Sequence, residues 1–199
     1  MLLFSKTNAI LPIKEIVIMK LSKLFSKLSY TPPERAVYAQ IVAKARQPWL
    51  YLNAGVPDTV TGRFDMITLH SFIVMEHLSK KGEKESQFNQ LLFDEVFLDM
   101  DHSLREMGVS DVAVSKKIRK MSEIFYGACN GYRTALEEPD PAKAFTRALQ
   151  RNILGKEAAP EKLNNLVNYT LQAIGQVEKV PVKSILAGKM DWPDLELED

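Results

Sequence analysis

The sequence predicts an all-α protein, a compact irregular bundle of about six to eight helices. Three observations carry this. Apolar residues recur at spacings of three and four along most of the chain, and no stretch alternates with the period of two that a half-buried strand needs. Proline, glycine and helix-capping residues interrupt those stretches at helix-length intervals. The 199 residues, 46% apolar and 26% charged, suffice for one domain with a substantial core plus tails.

Each element has its own signal. From Ile13, the residues Ile16, Val17, Leu21, Leu24, Phe25 and Leu28 keep helical phase, with lysines over much of the remaining surface. This segment fits an interfacial amphipathic helix as well as a first helix of the bundle. Pro32 and Pro33 end it, and Pro33 opens the next helix, with Val37, Ile41, Val42 and Ala45 on one side and a stop before Pro48. Trp49, Leu50 and Tyr51 form an aromatic knot, followed by the turn-rich loop NAGVPDTVTG. Thr61 is the expected cap of a helix over Gly62–Lys80, which is apolar almost all round and so is either buried centrally or lines a greasy groove. A helix from about Gln87 to Met107 puts Phe93, Val96, Phe97, Met100, Leu104 and Met107 on its core side, and Gly108 is a natural residue to end it. Ser110 is the expected cap of a helix over 111–137 with the stripe Val114, Ile118, Met121, Phe125, Ala128, Tyr132 and Leu136, in which Gly127 and Gly131 leave room for close helix approach. Asp140-Pro141 opens a helix ending at Gly155, and Pro160 opens another with Leu163, Leu166, Val167, Leu171 and Ile174 in phase. One short helix after Pro181 and a polar tail complete the chain. The expected organisation is a basic amphipathic segment over 1–29, a helical domain over 30–177, and an extension over 178–199 with an acidic tail from Asp191.

A formal net charge of +1 gives no overall steering toward nucleic acid or membrane. Cys129 is the only cysteine, which excludes an internal disulfide and a cysteine-based zinc site and fits a reducing compartment. No apolar run reaches the ~18 residues of a spanning helix. The N-terminus lacks the pattern of a signal peptide, and Met19, heading MKLSKLF, is a candidate start.

The densest charge lies between Phe93 and Lys120, acids on the first helix and bases on the second. Glu95, Asp99, His102 and Glu106 share one stripe, placed opposite the core side. A metal site there would need carboxylates from facing helices and a second Asp-x-x-His pair; a solvated or partner-facing surface is the preferred reading. His70 and His77, two turns apart, are about 10.5 Å apart by helical rise and are read as satisfied core or rim histidines rather than ligands of a metal or haem. Cys129 lacks an activating neighbour other than Arg133 and is read as a buried small hydrophobe. Serine-nucleophile motifs, phosphate-cradling glycine loops and HExxH are missing. No catalytic residue and no cofactor is expected. Lys116, Arg119 and Lys120, with Lys117 on their flank, form either a solvated face or a patch for an acidic partner, a membrane surface or RNA backbone.

The stretch GVPDTVTGRFDMITLH (Gly55–His70), then FLDMDHSLREMGVSDVAVSKKIRKM (Phe97–Met121), then FYG (Phe125–Gly127) resembles the ubiquinol–cytochrome c chaperone family. The resemblance covers roughly Tyr30 to Gly175. It implies an all-helical, non-enzymatic assembly factor for ubiquinol–cytochrome c reductase, complex III of the respiratory chain. It also implies binding of newly made cytochrome b or another complex III subunit, with a small helper protein and contact with the ribosome or the membrane surface. The chain lacks the Arg-rich transit segment of mitochondrial members, so a bacterial cytoplasmic protein, peripheral at the inner membrane, or a mature matrix form is expected. The alternatives are a ribosome- or RNA-associated helical module without sequence-specific recognition and, less favoured, a metal-dependent helical enzyme.

On this reading the protein is a holdase. The apolar helix Gly62–Lys80 and the set Met66, Met75, Met100, Met107 and Met121 are the candidate lining of a client groove, although most of them are expected to be core. Asp99, Asp101, Arg105, Glu106, Lys116, Lys117, Arg119 and Lys120 would set orientation and partner choice.

Overall fold

A helix that is apolar on every side has to be surrounded, and this dictates the architecture. The computed structural model describes residues 31–79, 81–190 and 192. The expected amphipathic helix Ile13–Leu28, the C-terminal end of the predicted third helix at Lys80 and, apart from Trp192, the acidic tail lie outside those residues. The fold is that of the unit from Pro33 onward. Among the described residues the elements are α1 (Pro33–Ala45), α2 (Pro48–Leu52), α3 (Val60–Leu78), α4 (Glu83–Glu106), α5 (Asp111–Glu137), α6 (Pro141–Leu149) running on into a π-helical turn (Gln150–Leu154), α7 (Pro160–Val177) and α8 (Val182–Leu186). The class is all-α, with no strand among them.

Helix α3 is the hub. It packs against α1, α4, α5, α7 and the π-helical turn. Phe64, Met66, Ile67, Leu69, Phe72, Ile73, Val74 and Leu78 are all buried. Each such side chain contributes about 1.5–3 kcal/mol relative to exposure. Most of the apolar length of this helix is core, as expected. Met66 and Met100 are likewise buried, whereas Met107, placed on the core side by its spacing, is 53% exposed, because α4 ends one residue earlier and the chain turns outward.

The helix ends follow the local chemistry, with corrections. Thr59, not Thr61, caps α3: its hydroxyl accepts from Gly62 N at 3.1 Å. The helix can start there only because residue 62 is glycine, since a Cβ would lie 2.1 Å from Pro57 O. The aromatic knot Trp49–Tyr51 is itself the short helix α2. Helix α4 begins at Glu83, earlier than Gln87, with Glu83 and Glu85 suited to its N-terminal dipole. It closes in a Schellman motif: Gly108, at φ 80°, donates to Arg105 O at 2.9 Å and Val109 to Leu104 O at 3.1 Å. Ser110 occupies the cap position of α5 without a side-chain capping bond. Asp140 does cap α6, accepting from Lys143 N at 3.1 Å, with Pro141 in the first turn. Gly155 N donates to Gln150 O at 2.7 Å, the five-residue bond that closes the π-helical turn.

Aromatic rings seal the α4–α5 seam. Phe93 contacts Phe97, Phe125 and Tyr126 at centroid distances of 4.6, 5.4 and 5.1 Å, and Phe97 contacts Phe125 at 5.7 Å. Gly127 faces open space, so it makes no close helix approach within the described residues; Gly131 admits a side chain, Arg151, instead of a helix.

Candidate partner-binding surface

The charged corner divides into an inward and an outward part. Glu95 and Asp99, predicted to lie away from packed surface, are covered by α1. Arg35 donates to both oxygens of Glu95 at 3.1 Å, and Tyr38 Oη donates to Asp99 at 2.7 Å. Helix periodicity identifies the side of α4 that faces the main core, but a second neighbour can lie on the opposite flank, and α1 does. Burial and the Asp99 hydrogen bond together hold the Tyr38 phenol far above its ordinary range. Asp99 is therefore a structural partner of α1.

Asp101, Arg105 and Asp111 staple the turn. Arg105 spans two carboxylates, reaching Asp101 at 2.5 and 3.2 Å and also pairing with Asp111 at the start of α5. The hydrogen bonds from Arg105 lower the Asp101 pKa below the usual carboxylate range. The arginine thus ties the last turn of α4 to the first residue of α5. Glu106 remains exposed next to this staple.

The outward part is basic and apolar together. Lys116, Lys117, Arg119 and Lys120 are all exposed on the first three turns of α5. Arg119 meets Glu123 at 3.4 Å, while the three lysines have no acid partner among the described residues. Met107 and Val112, 53% and 74% exposed, flank the turn that leads into this face, and Val112 stands one helical turn before Lys116. Their exposure is what the sequence reading missed; the clue was Val112 falling outside the core phase of α5. Further along the outer surface, Leu91 and Leu98 lie two turns apart on α4, and Tyr126 of α5 is half-exposed while stacked on Phe93. The arrangement offers apolar contact area with cations along one side, a composition suited to a protein-binding surface.

The other titratable candidates are spoken for. His70 is buried, with Nδ1 donating to Met66 O at 2.7 Å and Nε2 accepting from Tyr169 Oη at 2.6 Å. Burial pushes its pKa down to about 4, so the ring stays neutral. His77 Nε2 donates to Val180 O at 2.9 Å. Burial pushes the Cys129 thiol up to about 12, far from a nucleophile, and the nearby Arg133 is engaged by Glu76 at 2.8 Å. No group of three or more His, Cys, Asp or Glu among the described residues is placed to hold a metal.

Residues 52–192 match the family described as Ubiquinol-cytochrome C chaperone, a span that begins and ends later than the motifs suggest. Ubiquinol-cytochrome-c reductase complex assembly factor 1 of Xenopus laevis is 24% identical over 161 residues, 80% of either chain. The human protein of the same description is also 24% identical over 161 residues, but these make up 53% of its length, so this chain spans about half of that relative. The crystal structure of the Cbp3 homolog from Brucella abortus superposes with a TM-score of 0.74 at 34% identity, over 92% of this chain and 99% of that one.

Proposed function

This chain belongs to the ubiquinol–cytochrome c chaperone family, a family of chaperones and not of enzymes, and from that premise we propose that it supports assembly of ubiquinol–cytochrome c reductase by holding cytochrome b before the complex is built. The relatives' descriptions as assembly factors of that complex support the process. The observation that supports a holding role is the outer face of the α4–α5 corner, where exposed Met107 and Val112 sit beside lysines that no acid neutralises within the described residues.

The physics is that of temporary shielding. A membrane subunit outside the bilayer exposes apolar surface, and covering it gains about 25 cal/mol per Å². A rigid bundle with a few exposed apolar anchors covers part of that surface without burying its own core residues. Lys116, Lys117, Arg119 and Lys120 add long-range attraction toward acidic protein segments or anionic lipid headgroups, chiefly raising the encounter rate. No helix of the described residues is long and apolar enough to cross a membrane, so the protein would act from the membrane surface, on the bacterial cytoplasmic side or its mitochondrial equivalent.

Affinity capture from cells synthesising cytochrome b is the direct test. Cytochrome b or another subunit of the complex is expected in the captured fraction, and deletion is expected to deplete the assembled complex. Finding neither would remove the role. Reversing charge at Lys116, Arg119 and Lys120 is expected to weaken capture with an unchanged melting temperature, because the three side chains are exposed. Unchanged capture would dismiss this face as the contact. A ribosome or RNA partner would announce itself by affinity falling steeply with salt.

A further inference from the structure

Along the apolar helix α3, Asp65, Thr68 and Ser71 stand three residues apart and so share one line of its surface. Asp65 and Thr68 open into a cavity of about 200 Å³ between α3, α5 and the π-helical turn, whose other walls include Ile124, Tyr132, Arg151 and Asn152. Thr68 is 2% exposed, yet its hydroxyl has no hydrogen-bond partner among the described residues. Three threonines of other helices do not behave this way. Thr134, Thr146 and Thr170 close back onto the carbonyl four residues earlier at 3.0, 2.8 and 2.7 Å. From the opposite wall, the buried amide nitrogen of Asn152 makes no hydrogen bond of full geometry; the Tyr132 phenol is its nearby acceptor. Buried polar atoms left open in this way are uncommon in folded proteins.

The walls are built to hold these groups in place. The π-helical turn carries Arg151 and Asn152 to the cavity, and such turns recur at functional sites. Gly131 lets the guanidinium of Arg151 lie against α5, since a Cβ there would come 2.6 Å from Nη2. Arg151 Nε donates to Asn152 Oδ1 at 3.2 Å, which fixes which end of the amide is its donor. Neither Arg151 nor Asp65 has an ion-pair partner among the described residues.

We propose that this cavity is a binding site for a neutral carboxamide or peptide group. Asn152 Nδ2 and the Arg151 guanidinium donate to its carbonyl oxygen, while Thr68 Oγ1 and the Asp65 carboxyl accept from its N–H. A carboxylate would face Asp65 and an ammonium would face Arg151; an amide satisfies both walls. The group has two sources, an Asn or Gln side chain of a partner polypeptide and a free small amide. The site is independent of the corner face and of the client proposed above.

Nitrogen-15-labelled full-length protein is titrated by NMR with acetamide, sodium acetate and methylammonium chloride at matched ionic strength. Acetamide is expected to shift the Asn152 side-chain amide and the Thr68 backbone amide saturably, within about 100 mM for so small a ligand. Thr68→Val and Asn152→Leu are each expected to weaken it about tenfold or more. The three probes on the unaltered protein decide the matter even where a variant folds poorly. A short peptide bearing Gln that binds tighter than acetamide assigns the polypeptide source, and equal or weaker peptide binding assigns the free amide. Saturable shifts from acetate or methylammonium in place of acetamide, or none from any probe, overturn the proposal and leave the cavity to water.

Discussion

The substitution Asp65→Asn should make the protein more stable above neutral pH while changing little in acid. Burial pushes the Asp65 carboxyl up to about 7 from an ordinary 3.8. At 1.36 kcal/mol per pH unit over that interval, the ceiling on the effect is about 4 kcal/mol. Water at the cavity mouth screens the charge, and about 2 kcal/mol is the working expectation. The direction follows from proton counting. Below pH ~4 the carboxyl is protonated in both folded and unfolded chains and carries no penalty. Between pH ~4 and ~7 the folded chain binds the extra proton, so stability falls as pH rises. Above ~7 both forms are ionised and the full cost of the half-buried charge persists. Of the groups facing it, the Tyr132 phenol is kept neutral by burial. Urea denaturation of both proteins from pH 4.5 to 8.5 measures the difference, which cancels every other titration in the chain. The variant's advantage is expected to grow by about 2 kcal/mol toward high pH. A difference flat with pH would refute the reasoning, because it would mean that Asp65 ionises as a solvated carboxylate does.

Tyr38→Phe removes the donor to half-buried Asp99 and is expected to cost about 1–2 kcal/mol in a urea titration, more than Arg35→Ala, whose ion pair is more exposed. Gly62→Ala drives a Cβ into Pro57 O and is expected to destabilise by about 1–3 kcal/mol or more, read as a lower melting temperature. His70 should not titrate in NMR between pH 8 and ~5.5, because its pKa is held near 4; the stability carried by the neutral ring is present above the ordinary value of 6.5 and is lost as pH falls toward 4. A His70 signal moving with a midpoint near 6.5 would contradict its placement between Met66 and Tyr169. The corner charge reversal described above completes the set.

Much of this fold can be read without coordinates, because its helices are amphipathic and their breaks are chemically marked. Gly108 and Asp140-Pro141 announce their ends through backbone freedom and capping, and both hold. The failures share a cause. Thr59 and Thr61 are equally good caps in isolation, and only the packing of Gly62 on Pro57 selects the first. Glu95 and Asp99 look solvated on a wheel drawn for α4 alone; the wheel cannot know that α1 covers them. Gly127 and Gly131 look alike, yet one faces open space and the other makes room for Arg151. The π-helical turn at Gln150–Leu154 has no compositional mark, so the cavity beside it stayed hidden although Asp65, Thr68 and Ser71 were in plain sight at their spacing.

The Gln40 side chain has a consequence for how the protein is made. Its amide nitrogen donates to Gly188 O at 3.0 Å, and its oxygen accepts from Met190 N at 3.0 Å. Gly188, at φ 79°, packs tightly on Pro33 and Ala36, where a Cβ would come within 3.1 Å of Pro33 Cα. A knot of contacts therefore joins positions some 150 residues apart, and on a translating ribosome it stays open until Met190 has emerged. Helix α1, the cover for the acids of α4, gains this anchor only after every helix from α2 to α8 has been made.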